Sequence, residues 1–251
     1  MAEVIPGQGL TERFARAVEL ARQWHGDQRR KGTPIPYLSH LLAVASLAIE
    51  DAASDPELCE RLEDIAIAAV LHDLIEDTKA KPKDVEAEFG PEVRRIVVAC
   101  SDRDSDKETA WKTRKQRYIS RLEEADAAVL CVSLADKRHN ARCIVKDFQA
   151  AKDSGDEEFW DRFNAGPTDQ SRYYTALTEV LCRRRPGAAA EELESTVRQL
   201  ELLTGPLWAR RSVISPPGRL KTRGSRKGVA SNGQHRCSAL TKHPQLRGPA
   251  L

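Results

Sequence analysis

The sequence predicts an all-α protein, a helical bundle of about ten helices followed by a basic C-terminal tail that we expect to be disordered. Segments with a strict alternation of apolar and polar residues are hard to find, so β-strands are not indicated. Ala, Leu, Glu and Arg dominate segments whose apolar residues recur at the helical period. A chain of 251 residues is long enough to bury one substantial core.

Two helices are predicted near the N-terminus. The first covers residues 11–25, TERFARAVELARQWH, whose apolar residues lie on one face. The second lies in residues 29–48, RRKGTPIPYLSHLLAVASLA, where two prolines keep the stretch before Tyr37 extended. We expect Ser39 to cap a helix that begins with His40.

Residues 62–78, LEDIAIAAVLHDLIEDT, contain no Gly or Pro and are mostly apolar, which predicts one buried helix. Four-residue spacing on that helix would place His72 over Glu76 and Asp73 over Asp77. Unpaired buried charge is strongly disfavoured, and a divalent cation would offset its cost by binding the ionised side chains. The alternative is a helix whose charged end emerges into solvent.

Residues 127–148, AAVLCVSLADKRHNARCIVKDF, predict a further apolar helix with an abrupt polar patch. Asp136 and Asn140 are four residues apart and share a face of this helix. A metal ion is one partner for a buried Asp136. Lys137 or Arg142 is the other.

Shorter segments complete the bundle. A Gly-Pro helix start lies in residues 89–97, FGPEVRRIV, and a second Gly-Pro turn lies at 166–167. A last helix is predicted over residues 188–203, covering the earlier ones. Tyr173 and Tyr174 suit either packing or a pocket wall, and we favour packing.

Two imidazoles and two carboxylates together form one ligand set for a divalent metal, although each has a structural explanation on its own. The four residues are His40, His72, Asp73 and Asp136. Only His25 and His139 are spare in the predicted bundle, so a second, histidine-rich metal shell is not expected. We interpret His139 as a structural or supporting residue, because its helical projection diverges from the Asp136–Asn140 line.

The order His … His-Asp-x-x-Glu-Asp … Asp-x-x-x-Asn resembles the HD-domain metal-dependent phosphohydrolases. Within them it is most similar to the alarmone hydrolases: the hydrolase domain of the RelA/SpoT enzymes and the small Mesh1-like hydrolases. The strings that carry the resemblance are QRRKGTPIPYLSH, AAVLHDLIEDT, FGPEVRRIV and LADKRHNAR, between about Phe14 and Phe148. It implies an HD-domain helical bundle.

The resemblance also implies roles for individual residues. One manganese ion would be held by His40, His72, Asp73 and Asp136. The attacking water would be positioned or activated by Glu76 and Asp77. The substrate would be bound by Arg30, Lys31, Tyr37, Lys112, Asn140 and Arg142. Lys112 and Arg142 are the looser matches in this set.

The implied reaction is hydrolysis of the 3′-pyrophosphate of ppGpp or pppGpp, which releases pyrophosphate and GDP or GTP. The chain after residue 150 has no room for the synthetase domain of RelA/SpoT enzymes, so we expect degradation only. One alternative is another nucleotide substrate, such as an adenosine alarmone or NADPH. A non-catalytic nucleotide-binding regulator is another, although binding alone would not require Glu76 and Asp77.

Charge divides the chain into two parts. Residues 205–251 contain ten Lys or Arg and no acidic residue, and since the whole chain carries +2, residues 1–204 carry −8. We therefore predict a phosphohydrolase domain over 1–204. The tail is rich in Pro, Gly and Ser; it either makes weak contacts with RNA or an anionic surface, or has little role.

The cysteine pattern and the hydropathy bear on the compartment. No apolar stretch reaches the roughly 18 residues that a membrane span needs. The six cysteines show no C-x-x-C spacing, and we expect reduced thiols in a cytoplasmic protein. The sequence leaves the oligomeric state open.

Overall fold

The computed structural model describes residues 9–101 and 111–204. Within these ranges the chain forms ten α-helices and two short 3-10 turns, and the only β-type pairing is an isolated bridge between Arg29 and Pro36. The predicted all-α bundle is confirmed. The tail at 205–251 lies outside the described residues. The disorder and the contacts with RNA or an anionic surface predicted for it therefore stay predictions.

The helices follow one another along the two described ranges. Their bounds are α1 Glu12–His25, α2 Leu38–Ala53, α3 Leu62–Leu71, α4 Leu74–Asp77, α5 Pro82–Phe89, α6 Pro91–Cys100, α7 Trp111–Leu122, α8 Ala127–Ser154, α9 Pro167–Arg184 and α10 Ala188–Thr204. Both Gly-Pro signals begin a helix, at Pro91 and Pro167, and α10 matches the predicted last helix closely. No helix in the described ranges is long and apolar enough to cross a bilayer.

Helix α8 is the central element because its opposite faces enter two hydrophobic clusters. One face, including Val132 and Ala135, packs with α2, α3 and α6. The other face, including Leu134 and Ile144, packs with α9 and α10. The candidate site residues that α8 carries are therefore fixed from both sides.

We expect Leu134→Ala to lower the free energy of unfolding by about 2–5 kcal/mol, because Leu134 is fully buried and its loss leaves a cavity. Leu202→Ala is the control, since Leu202 on α10 is 83% exposed. Urea unfolding of both variants measures the difference. Equal stability of the two variants would contradict the central place of α8.

The predicted start of α2 is wrong by two residues. The helix begins at Leu38, its N-cap is Tyr37, and no side-chain hydrogen bond caps it. The amide of Ser39 donates to the Pro36 carbonyl at 3.0 Å, and the amide of His40 donates to the Tyr37 carbonyl at 2.8 Å. Short turn bonds of this kind satisfy the first amides of the helix, so the Ser39 side chain is not used as a cap.

The prediction of one unbroken helix over residues 62–78 is also wrong. Helix α3 ends at Leu71, and α4 begins at Leu74 after a turn formed by His72 and Asp73. The His72 Nδ1 atom lies 2.8 Å from the Ala69 carbonyl oxygen, which is the acceptor that the Asp73 amide would reach in a continuous helix. A side chain that enters the helical ladder breaks it at that point.

Candidate metal centre

Four side chains from two helices and one turn converge on one point. Asp73 Oδ2 lies 3.0 Å from His72 Nε2 and 3.6 Å from His40 Nε2. Asp136 Oδ1 lies 3.4 Å from His40 Nε2 and 3.6 Å from His72 Nε2. Helix α2 supplies His40, the turn after α3 supplies the central pair, and α8 supplies Asp136. The structure therefore brings together all four residues predicted as metal ligands.

The two imidazoles have the hydrogen bonds expected of metal ligands. His72 donates its Nδ1–H to the Ala69 carbonyl, and His40 Nδ1 lies 2.8 Å from His139 Nδ1. Both Nε2 atoms are buried and have no hydrogen-bond partner. A backbone or side-chain partner at one ring nitrogen fixes the tautomer and leaves the lone pair of the other nitrogen for a metal. These residues therefore fit a divalent cation.

His139 supports the first ligand and is not directed at the metal point. Burial, then the nearby His40, Arg30 and Arg142, lowers the pKa of His139 to about 3. A neutral His139 can accept the Nδ1–H of His40 at its own Nδ1, which places its proton on Nε2, 3.7 Å from Cys143 Sγ. The prediction of a supporting role for His139 agrees with this contact.

Asp136 is held at both oxygens. Lys137 donates to Oδ2 at 2.6 Å, and Asn140 donates to Oδ1 at 2.6 Å. Burial opposes its ionisation, but Lys137, then His40 and His72, hold the pKa of Asp136 well below its usual range. Pairing with Lys137 thus occupies one oxygen, while Oδ1 faces the imidazoles. Asp136 can therefore pair with Lys137 and bind a metal ion at the same time.

The carboxylates of Asp73 and Asp136 favour a positive charge at the neighbouring His72. Burial opposes protonation of His72, yet the charges of Asp73 and then Asp136 raise its pKa well above the ordinary value. Tyr37 donates its hydroxyl to Asp73 Oδ2 at 2.5 Å, which orients that carboxylate. A bound cation would supply the charge that the two carboxylates favour.

A pocket opens beside the four ligands. Its lining consists of Tyr37, Asp73, Glu76, Cys100, Lys115, Tyr118, Asp136, Lys137, Asn140, Gln170, Tyr173 and Tyr174. Three of the residues predicted for water activation or substrate binding, namely Tyr37, Glu76 and Asn140, are in this lining. Asn140 presents a buried amide oxygen with no hydrogen-bond partner. The pocket can therefore receive a polar ligand next to the metal point.

The two acids of the predicted catalytic pair have different surroundings. Glu76 lines the pocket, whereas Asp77 accepts a hydrogen bond from Gln28 at 2.8 Å. Burial, then the neighbouring Asp73, raises the pKa of Asp77 to about 8. A cation at the metal point would oppose that rise. Both acids lie on α4, which the break at His72 and Asp73 separates from α3.

The predicted basic residues lie outside the pocket lining. Arg30 is buried and donates to Cys143 Sγ at 2.8 Å, on the His139 side of the centre. Lys31 lies 3.3 Å from Asn164 Oδ1, and Arg142 is exposed on α8. Lys112 pairs with Asp169 at 3.0 Å and is 70% exposed. Their roles in substrate binding stay predictions.

Sequence reasoning missed several residues of the pocket. Lys115, three residues after Lys112, is only 7% exposed, lines the pocket and lies over the Tyr173 ring at 5.3 Å. Tyr173 and Tyr174 are buried, as the favoured packing interpretation predicts, and they also line the pocket, which was the alternative. Gln170 has a buried amide nitrogen without a partner. The apolar spacing of α9 does not distinguish a pocket wall from core, and no motif marks Gln170.

Gly32 lets the loop that carries Arg30 and Lys31 approach Arg162. Gly32 has φ +69, and a Cβ added there would lie 2.7 Å from Arg162 Cδ. Arg162 is stacked on the Phe159 ring, with its Cζ 3.9 Å from the ring centre. Arg162 also donates to Asp147 at 3.2 Å, so it cannot withdraw freely.

We expect Gly32→Ala to lower the free energy of unfolding by about 1–2 kcal/mol, because residue 32 has a left-handed conformation. The substitution should also raise the KM for substrate, because the added methyl group displaces the loop that carries Arg30 and Lys31. Gly155→Ala is the matched control, because Gly155 has φ +72 but no neighbour within 4 Å of its added Cβ. It should cost similar stability and leave KM unchanged. Thermal unfolding and steady-state kinetics measure the two effects, and an unchanged KM for Gly32→Ala would refute the contribution of the loop.

Comparison with known proteins shows the family of the chain. A family model described as an HD domain matches residues 17–161, more than half of the chain. Guanosine-3′,5′-bis(diphosphate) 3′-pyrophosphohydrolase MESH1 of Drosophila melanogaster is 33% identical over 131 residues, which are 52% of this chain and 68% of the relative. The protein of that name from Homo sapiens is 34% identical, over 50% of this chain and 66% of the relative.

A solved structure gives the same result at the level of the fold. It is described by the words "A metazoan ortholog of SpoT hydrolyzes ppGpp and plays a role in starvation responses". Its TM-score with this chain is 0.58 at 27% sequence identity, covering 78% of this chain and 98% of the solved one. The chain belongs to the HD-domain family and is similar to its Mesh1-like hydrolases.

Proposed function

We propose that this protein hydrolyses the 3′-pyrophosphate of guanosine alarmones, ppGpp and pppGpp, and releases pyrophosphate with GDP or GTP. The observation that carries the proposal is the pair of buried, unpartnered Nε2 atoms facing two carboxylates at the edge of a polar pocket. The similarity to proteins named as 3′-pyrophosphohydrolases supports the substrate class.

One manganese ion is the cofactor that we propose for the centre. Mixed nitrogen and oxygen ligation by His40, His72, Asp73 and Asp136 suits manganese among the available divalent ions. Four protein ligands leave room for further ligands on an octahedral ion. When bound, the ion supplies Lewis acidity toward water and toward a phosphoryl oxygen.

The residues of this chain supply the other parts of the reaction. Glu76, in the pocket wall beside the ligands, accepts the proton of the attacking water. Water adds to the phosphorus that bears the ribose 3′ oxygen, the bond between them breaks, and the 3′ oxygen leaves and takes up a proton. The buried cation of Lys115 faces the pocket and favours the charge that develops on phosphate.

The nucleotide would occupy the part of the pocket formed by α8 and α9. Asn140 and Gln170 each present a buried amide atom without a partner, on the oxygen and the nitrogen respectively. Tyr173 and Tyr174 provide aromatic surface and hydroxyl groups in the same wall. A site built to bond polar substrate groups leaves such atoms unpaired until the ligand binds.

Turnover of ppGpp, pppGpp, pppApp and NADPH by the purified full chain, with and without manganese, tests the proposal. We expect manganese-dependent release of pyrophosphate from the two guanosine alarmones. Preferential turnover of pppApp or NADPH would keep the reaction class but replace the substrate. Tight nucleotide binding with no turnover of any of the four would favour the non-catalytic regulator. The cytoplasmic location and the role of the tail stay predictions.

A further inference from the structure

A hydrogen-bonded chain outside the predicted motif leads from the end of α1 to Asp77. His25 Nδ1 lies 2.8 Å from Gln28 Oε1, and Gln28 Nε2 lies 2.8 Å from Asp77 Oδ2. His25 is the last residue of α1 and is only 6% exposed. The chain thus links a buried histidine to one of the two acids proposed to act on water.

The polarity of this chain follows from the groups that compose it. Burial lowers the pKa of His25, so its ring is neutral and Nδ1 carries the proton when it meets the Gln28 oxygen. That bond commits the amide oxygen and directs the amide nitrogen to Asp77. The reverse amide orientation would place two donors, the amide nitrogen of Gln28 and the Nδ1–H of His25, against each other. Gln28 is therefore the donor in its bond to Asp77 Oδ2.

The backbone of Gln28 is fixed independently of its side chain. Its amide donates to the His25 carbonyl at 2.9 Å, and its carbonyl accepts from the Tyr37 amide at 2.8 Å. The Gln28 side chain therefore projects from a held position. Replacing the side chain should leave the local backbone bonds in place.

A second contact from His25 reaches the metal centre. The His25 ring stacks on Tyr37 with ring centres 5.2 Å apart and an angle of 29°. Tyr37 in turn donates its hydroxyl to Asp73 Oδ2. One buried histidine thus supports Asp73 through stacking and Asp77 through the Gln28 amide.

We propose that Gln28, oriented by His25, is a positioning residue that fixes the direction of the Asp77 carboxylate for the attack of water. The inference rests on the proposed function. Because Gln28 commits Asp77 Oδ2, the other oxygen of Asp77 is the one presented for bonding to water. Gln28 is not itself among the residues that line the pocket.

Gln28→Leu, His25→Phe and the double variant separate positioning from packing. Leucine removes the amide at similar volume, and phenylalanine keeps an aromatic ring for Tyr37 but removes the bond to Gln28. We expect Gln28→Leu to lower kcat on ppGpp by about 10- to 100-fold, with KM within about twofold and bound manganese unchanged. The kcat of the double variant should be no lower than that of Gln28→Leu alone, because both changes interrupt the same series of hydrogen bonds.

Gln23→Leu is the matched control. Gln23 lies on α1 and bonds Glu19 at 2.8 Å, so it has the same amide–carboxylate contact, but on the exposed face of the helix. We expect wild-type kcat from it. A kcat for Gln28→Leu within twofold of this control, an equal loss of manganese and activity, or additive losses in the double variant would each overturn the proposal.

A measurement without substrate distinguishes this inference from the proposed function. If the wild-type chain turns over none of the alarmones, the proposed function fails, and the Gln28 bond is judged by solvent exchange of its side-chain amide protons in ¹⁵N-labelled protein. We expect slow exchange in the wild type and fast exchange in Asp77→Ala. Fast exchange in the wild type would refute the positioning role, whatever the substrate.

Discussion

Asp73→Ala should abolish manganese binding and lower turnover by about 10³–10⁴-fold, since metal catalysis supplies several kcal/mol of transition-state stabilisation. Asp73 Oδ2 is the oxygen that faces both imidazoles. The substitution removes one of the two carboxylates. A metal ion would then have only the Nε2 atoms of His40 and His72 and the carboxylate of Asp136 as ligands. Metal content by mass spectrometry and ppGpp turnover are the two measurements.

The matched control for this variant is Asp153→Ala. Asp153 lies on α8, the helix that carries Asp136, but it is exposed and bonds Gln149. It should keep both metal and turnover. An Asp73→Ala protein that binds manganese as tightly as the control would show that the ion is held elsewhere.

Glu76→Gln should retain manganese and lose about 10²–10⁴-fold in kcat, the range typical of a lost general base. Glutamine has nearly the same volume as glutamate but cannot take a proton from water at neutral pH. Glu76 lines the pocket and is not one of the four proposed ligands, so the metal should stay. The variant therefore separates proton transfer from metal binding.

Glu157→Gln, an exposed change between α8 and α9, is the control for this variant. A Glu76→Gln enzyme with the kcat of the control would transfer the base role to Asp77. In that case Asp77→Asn should show the large loss. Equal kcat in all three variants would exclude the acidic pair from proton transfer.

Together with the Gln28 variants, these results would order the site from the metal outward. Replacing Asp73 should abolish metal binding, and replacing Glu76 should remove the general base. Replacing Gln28 should leave the direction of the Asp77 carboxylate less well fixed. Each step has its own readout, namely metal content, kcat at unchanged metal content, and non-additivity with His25. The proposals can therefore fail separately.

Much of the fold followed from local pattern. Gly-Pro pairs marked the starts of α6 and α9. Apolar spacing marked α8 and α10, because the apolar residues on one face of a helix recur at the helical period in the sequence. The break after Leu71 did not follow from pattern. It depends on the His72 side chain bonding the Ala69 carbonyl, and helix propensity alone gives no sign of that bond.

The sequence by itself determined the donor set: two imidazoles and two carboxylates, with an acidic pair four residues beyond the central ligands. Chemical type and order along the chain are sufficient for that. Only the tertiary structure decided which atoms meet, because Lys115, Gln170 and Gln28 reach the site from helices and turns distant in sequence. Their side chains lie beside a common pocket or carboxylate only because the helices pack together, and that packing is a property of the folded chain.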